Sequence, residues 1–159
     1  MKLLIIILLF LSFSIQAQEN PFAIFRERTE QFVSNNKEAA RDAEKVYHVP
    51  ASVLMALAII STNGGQTNLS RKLHNQFGII CKKDKKVGFH CEKCFTDKPH
   101  YLLYSSNYWC FQDEAKKLSA EKTNYKGDWF SLINSKDSKK DPKLMKQMVH
   151  DYSLKTINL

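Results

Sequence analysis

With 159 residues, 43% of them hydrophobic and 25% charged, the chain can build one packed domain and is too short for two ordinary ones. Five glycines, four prolines and no self-similar period exclude collagen-like, low-complexity and solenoid architectures. A formal net charge of +8 gives a surface that favours polyanions, and the compartment decides which polyanions it meets.

The N-terminal segment speaks to the compartment. Lys2 supplies one positive charge, Leu3 to Phe13 is an apolar run, and Ser14-Ile15-Gln16-Ala17 closes it with small residues. This is the pattern of a secretory signal peptide, with cleavage expected after Ala17. The run falls well short of the ~20 residues that span a bilayer as a helix, so no stable membrane anchor is expected. The mature chain, 18–159, is then a single exported domain, periplasmic or secreted. Export makes nucleic acid a poor partner and brings forward cell-wall glycans, lipopolysaccharide and anionic peptides. Lys82, Lys83, Lys85 and Lys86 form the only dense basic run, and it also reads as a solvated surface.

Phe22 to Tyr47 has helical spacing: Ile24, Phe25, Phe32 and Val33, then Ala39, Ala40, Ala43 and Val46, lie on one face. Pro50 suits the start of a second helix. Ala51 to Ile60 is apolar nearly all round, as in a helix surrounded by its own core. Ser61-Thr62-Asn63-Gly64-Gly65 supplies the stop. Asn68 to His74 reads as a short helix before Asn75-Gln76-Phe77-Gly78-Ile79, and Cys81 to Phe95 as a short hairpin or irregular lobe. Ser106 to Ser119 is helical with Phe111, Ala115 and Leu118 inward; Tyr125 to Ile133 and Pro142 to Tyr152 complete the helical part.

All four cysteines, Cys81, Cys91, Cys94 and Cys110, fall between the second and the last helices. An even count in an exported chain favours two disulfides, for which three connectivities exist. Cys91-Glu92-Lys93-Cys94, with His90 and His100 nearby, also has the spacing of a structural zinc site, although a second Cys-x-x-Cys pair is missing.

Several segments, taken in order, resemble one family. Tyr47 to Ile60 resembles the helix that enters the active site of bacterial N-acetylglucosaminidases, peptidoglycan hydrolases with a lysozyme-like fold. Asn75-Gln76-Phe77-Gly78-Ile79 is similar to the family's Asn-x-Phe-Gly-Ile segment, and Cys81 and Cys94-Phe95 to cysteines of one branch. Tyr104, Ser106, Phe111 and Asp113 resemble its Tyr-x-Ser helix entry; Tyr125, Trp129, Asp141-Pro142-Lys143 and Tyr152-Ser153-Leu154 resemble its C-terminal helices. The resemblance runs from Glu38 to Leu154. It implies a mainly α, lysozyme-like helical globule with a small disulfide-tied β-hairpin lobe, Cys81–Cys94 closing that lobe; the two cysteines left, Cys91 and Cys110, are then expected to form the second pair. It implies no metal and no organic cofactor.

One position departs from the family. Its long helix ends in a catalytic glutamate within a Glu-Ser-Gly-x-Gly type turn, and that glutamate falls on Ser61. Glycoside cleavage needs a carboxylic acid to protonate the departing oxygen, and general acid–base catalysis contributes ~10²–10⁴-fold. A serine hydroxyl is far too weak an acid for this. Glu92 is the foremost substitute, with Asp84 and Asp97 beside it, while Asp113 reads as structural. A nucleophilic Ser61/His74/Asp triad rests on residue types alone.

Three functions follow. The first is an exported glucosaminidase-like domain that binds peptidoglycan or a related amino-sugar glycan without efficient turnover. The second is an active N-acetylglucosaminidase with a relocated acid such as Glu92. The third is a periplasmic protein-interaction module that reuses the groove for a protein partner. By resemblance, Ser61, Asn75, Phe77, Gly78 and Tyr104 line the substrate groove, with Tyr101 or Tyr108 as further sugar-stacking candidates.

Overall fold

In the computed structural model the described residues are 20–81, 91–94 as backbone, 101–137 and 140–158. The expected signal segment, 1–17, lies outside them. Helix α1 spans Pro21–Tyr47, with the Asn20 side chain accepting the Phe22 N–H and proline at its first turn. It ends at His48, whose left-handed φ of 57° lets its N–H bond back to the Glu44 carbonyl. Its buried stripe is Thr29, Phe32, Asn36, Ala40 and Ala43, spaced three and four apart, and the two alanines leave room for a close neighbour.

That neighbour is α2, Ala51–Thr62, the central helix. Residues Ala51 to Ile59 are all buried, and α2 packs against α1, the later helix α6 and the C-terminal 3₁₀ turn. Each large aliphatic side chain taken out of water contributes ~1.5–3 kcal/mol, and Leu54, Met55, Leu57 and Ile59 all do so here. The first turn of α2 is capped from elsewhere: Glu44 Oε2 accepts the Ala51 N–H at 3.1 Å, and Asn158 Oδ1 accepts the Ser52 N–H at 2.8 Å. The chain's last residues therefore hold the start of its central helix.

The turn after α2 is fixed by two glycines. Gly64 (φ 64°) and Gly65 (φ 80°) occupy the left-handed region, where a Cβ is disfavoured. A Cβ at Gly64 would lie 2.3 Å from Thr29 Oγ1, and one at Gly65 2.4 Å from Phe32 Cδ2. Thr62 Oγ1 accepts the Gly65 N–H at 2.8 Å while donating to the Ala58 carbonyl at 2.7 Å. The residues following Ser61 are thus pressed onto α1.

Helix α3, Asn68–Leu73, is capped by Thr67 and leads into the Asn75–Ile79 segment. Strands β1, Cys91–Cys94, and β2, Leu102–Tyr104, form an antiparallel pair, with Cys91 opposite Tyr104 and Cys94 opposite Leu102. The register is irregular between Cys91 and Lys93, so Glu92 is the bulged residue. Helix α4, Asn107–Lys122, packs along α1, and it buries Phe111, Ala115 and Leu118 as the spacing predicts. Helix α5, Trp129–Lys136, starts four residues later than its predicted onset because the Asp128 side chain caps it through the Ser131 N–H. Helix α6, Pro142–Asp151, is capped by Asp141, and a 3₁₀ turn, Leu154–Ile157, follows. The predicted helical architecture is present. No helix among the described residues is long and apolar enough to cross a membrane.

The cysteines correct one expectation. Cys110 is a free thiol, wholly buried, so the expected Cys91–Cys110 disulfide does not form. Helical geometry turns Cys110 into the core, where its Sγ accepts the Gln76 N–H at 3.2 Å. Burial pushes this thiol well above its ordinary pKa and keeps it protonated. Cys81 is disulfide-bonded. The side chains of Cys91 and Cys94, and with them the zinc alternative, lie outside the described residues.

Candidate functional site

Burial along α2 is interrupted only at Ile60 and Ser61, in its last turn. There Lys140, from the connection between α5 and α6, donates a hydrogen bond from Nζ to Ser61 Oγ at 2.7 Å. The Lys140 backbone is held at both ends: its N–H donates to the Asp137 carbonyl at 2.9 Å, and its carbonyl accepts Asn134 Nδ2 at 3.2 Å. Burial holds the Lys140 ammonium below its usual pKa, while the nearby Asp137 and Glu114 carboxylates act in the opposite sense. The helix has no basic residue of its own in its last turn, and Lys140 supplies a cation at this negative dipole end.

Lys140 also borders a cavity of about 90 Å³ lined by Leu57, Phe77, Glu114, Glu121 and Asp137 among others. Glu114 is buried, and desolvation raises its carboxyl pKa even though Lys117 hydrogen-bonds both its oxygens at 3.2 Å. A raised carboxyl suits a proton donor in principle. This cavity, however, is far below the ~300 Å³ at which ligand pockets begin, and Glu114 is buried within the packed helices. A larger cavity, of about 850 Å³, lies near Pro50, Ser52, Val53, Trp129 and Phe130, at the opposite end of α2. Nine residues separate Ser52 from Ser61, ~13 Å along the helix. Among the described residues, no carboxylate lines that cavity.

Most of the other residues singled out in the sequence serve the scaffold. Asn75 is fully buried, its Nδ2 donating to the Ile79 and Leu102 carbonyls and its Oδ1 accepting the Ile79 N–H, each at 2.9 Å. Its amide clamps the loop to β2 and leaves little to offer a sugar. Phe77 stacks edge-on against Phe111 with centroids 5.0 Å apart. Tyr104 is 1% exposed and donates its hydroxyl to Asp113 Oδ2 at 2.6 Å, which excludes it as a stacking platform. Gly78 has φ 67° and open space beyond its Cα. Tyr101 is half-buried; Tyr108 is exposed and packs edge-on against Trp109. His74 pairs with Asn107 at 3.1 Å whereas Ser61 pairs with Lys140, so no Ser61–His74 hydrogen bond exists to begin a triad. The side chains of Asp84, Glu92 and Asp97 lie outside the described residues.

Lys140 was missed in the sequence because 79 residues separate it from Ser61 and it sits in a Lys-rich stretch that reads as solvated charge. A fully buried polar group, Gln76, was missed too. It accepts the Ser70 hydroxyl at 2.6 Å and donates to Asn107 Oδ1 at 2.7 Å, and Asn107 in turn donates to Asn36 of α1 at 2.8 Å. This network ties the Asn75–Ile79 loop to α1 and α4.

Comparison with known proteins then decides the family. The profile of the glucosaminidase family, described as mannosyl-glycoprotein endo-beta-N-acetylglucosaminidase, matches residues 37–156. The chain belongs to the glucosaminidase family. No curated relative matches its sequence. Among solved structures, the catalytic domain of the autolysin Auto from Listeria monocytogenes is similar at 20% identity, over 92% of this chain and 93% of that one, with a TM-score of 0.62. The glycoside hydrolase domain of FlgJ from Salmonella typhimurium is similar at 19% identity, over 80% and 90%, with a TM-score of 0.60. A chain of a type VI secretion system effector–immunity complex from Pseudomonas protegens gives 12% identity over 81% and 94%, with a TM-score of 0.65. At these identities the likeness is one of fold.

Proposed function

We propose that this glucosaminidase-family domain is exported, binds peptidoglycan or a related amino-sugar glycan, and turns it over poorly or not at all. The observation that carries this reading is the last turn of α2: Ser61, where the family resemblance expects the proton donor, is hydrogen-bonded to a lysine at 2.7 Å. Neither group can do the acid's work. A lysine ammonium, at an ordinary pKa of ~10.4, is about six units weaker as an acid than a glutamic acid at ~4.3. A hydroxyl is weaker still. Burial lowers the Lys140 value, while the Asp137 and Glu114 carboxylates act in the opposite sense.

The signal-like segment 1–17 and the disulfide at Cys81 support export to the periplasm or beyond, and in this reading Cys81 pairs with Cys94 to tie the β1–β2 lobe to the loop after Ile79. Asn75, Phe77, Gly78 and Tyr104 then set the groove's floor by positioning backbone. A second reading, a protein-interaction module, is favoured by one observation: a fold neighbour comes from an effector–immunity complex. Co-sedimentation of purified 18–159 with peptidoglycan sacculi tests the first reading. Saturable pelleting that folded but glycan-free controls lack supports it; failure to pellet, with capture of a periplasmic protein instead, moves the second reading ahead.

A further inference from the structure

An ammonium carries three N–H donors, and among the described residues Lys140 uses one of them, on Ser61 Oγ. Neither the Asp137 nor the Glu114 carboxylate hydrogen-bonds it, although both act on it through space. Ser61 accepts in this contact, so its own O–H remains available to donate, and no second partner takes it among the described residues. Three donors, two N–H and one O–H, are therefore left on this half-buried pair, and the Lys140 backbone is held by its own hydrogen bonds. Such a set recognises an acceptor-only group with negative charge. A neutral sugar hydroxyl would satisfy one of these donors and leave the others unpaired.

We infer that Ser61 and Lys140 form a carboxylate-binding subsite at the end of α2, so that the domain selects the acid-bearing form of its glycan over a neutral amino-sugar chain. The inference rests on the glycan-binding reading above and specifies its ligand. It also gives Lys140 a function that a purely structural cation would lack: ending the α2 dipole stabilises the fold and is indifferent to the ligand's charge.

The test uses purified 18–159 in pelleting and titration assays with four probes: native sacculi, sacculi whose carboxyl groups have been amidated, peptide-free glycan strands, and a neutral chito-oligosaccharide. Native sacculi should bind about ten- to a hundredfold more tightly than amidated ones, the effect of one charge-assisted contact. Lys140→Met should remove that preference while Lys140→Arg keeps most of it, with folding of each variant checked by circular dichroism. Peptide-free strands keep the preference if the carboxylate is borne on the sugar and lose it if it is borne on the peptide; either supports the subsite. Equal affinity for native and amidated sacculi, or a folded Lys140→Met variant that still discriminates, overturns the subsite and leaves glycan binding standing. Failure of the wild type to bind any of the probes overturns both.

Discussion

A carboxyl placed at Ser61 should make a poor proton donor unless the lysine is removed with it. In Ser61→Glu the new carboxyl begins from a Cβ whose Oγ lies 2.7 Å from the Lys140 ammonium, so it stays within reach of that charge. An opposite charge within ~4–6 Å lowers a carboxyl pKa by ~1–3 units. The carboxyl would be pulled below its ordinary ~4.3, opposite to the upward shift that a glycosidase acid needs at neutral pH. Each unit reduces the protonated, donating fraction tenfold, so Lys140 costs the new acid ~10–1,000-fold in competence. The double variant Ser61→Glu/Lys140→Met should therefore release reducing ends from peptidoglycan ~10–1,000-fold faster than Ser61→Glu alone at pH 7. The comparison is made at saturating glycan, so that weaker binding does not mask it, and Lys140→Met alone should remain inactive. If Ser61→Glu alone equals the double variant, the ammonium does not govern this position. If both are inert while still binding glycan, Ser61 does not stand where the acid acts.

Other perturbations test the framework. Gly65→Ala combines a left-handed φ of 80° with a Cβ placed 2.4 Å from the Phe32 ring; a loss of at least ~2 kcal/mol, seen as ~4–8 °C in Tm, is expected, and an unchanged melt would contradict the tight turn. Cys110 should resist alkylation in the native protein and react once unfolded, as read by peptide mass mapping. Cys110→Ala, which leaves the Gln76 N–H unpaired, should cost ~1–3 kcal/mol in denaturant melts. For Glu114, burial raises the folded-state pKa above the unfolded one, so the folded state holds its proton more tightly and this contribution to stability fades as pH rises from the unfolded through the folded pKa. Glu114→Gln should flatten that segment of the stability–pH curve, and an identical curve in both proteins would contradict the assigned burial.

Much of the scaffold was legible because it rests on local rules. The Ala51–Ile60 run, apolar nearly all round, reads as a surrounded helix, and Asp141-Pro142 marks the onset of α6 by its cap and fixed φ. What the residues could not disclose is long-range. Cys110 belongs to an even set of cysteines, but the direction of its helix face buries it, and pattern reading does not give that direction. Asn75 and Tyr104 look like exposed polar contacts in sequence, yet each is saturated by groups brought from β2 or α4. The Ser61–Lys140 contact depends on where the α5–α6 connection crosses the end of α2, which no local spacing encodes.

Whether this domain holds glycan without cleaving it, as proposed, is read most directly from the time course of new reducing ends from sacculi carrying saturating wild-type 18–159. The account predicts a bound protein and a product trace indistinguishable from that of sacculi alone, unchanged in Ser61→Ala. Steady release by the wild type that is abolished in Glu92→Gln and unaffected in Ser61→Ala would contradict it, and would assign the proton to a relocated acid.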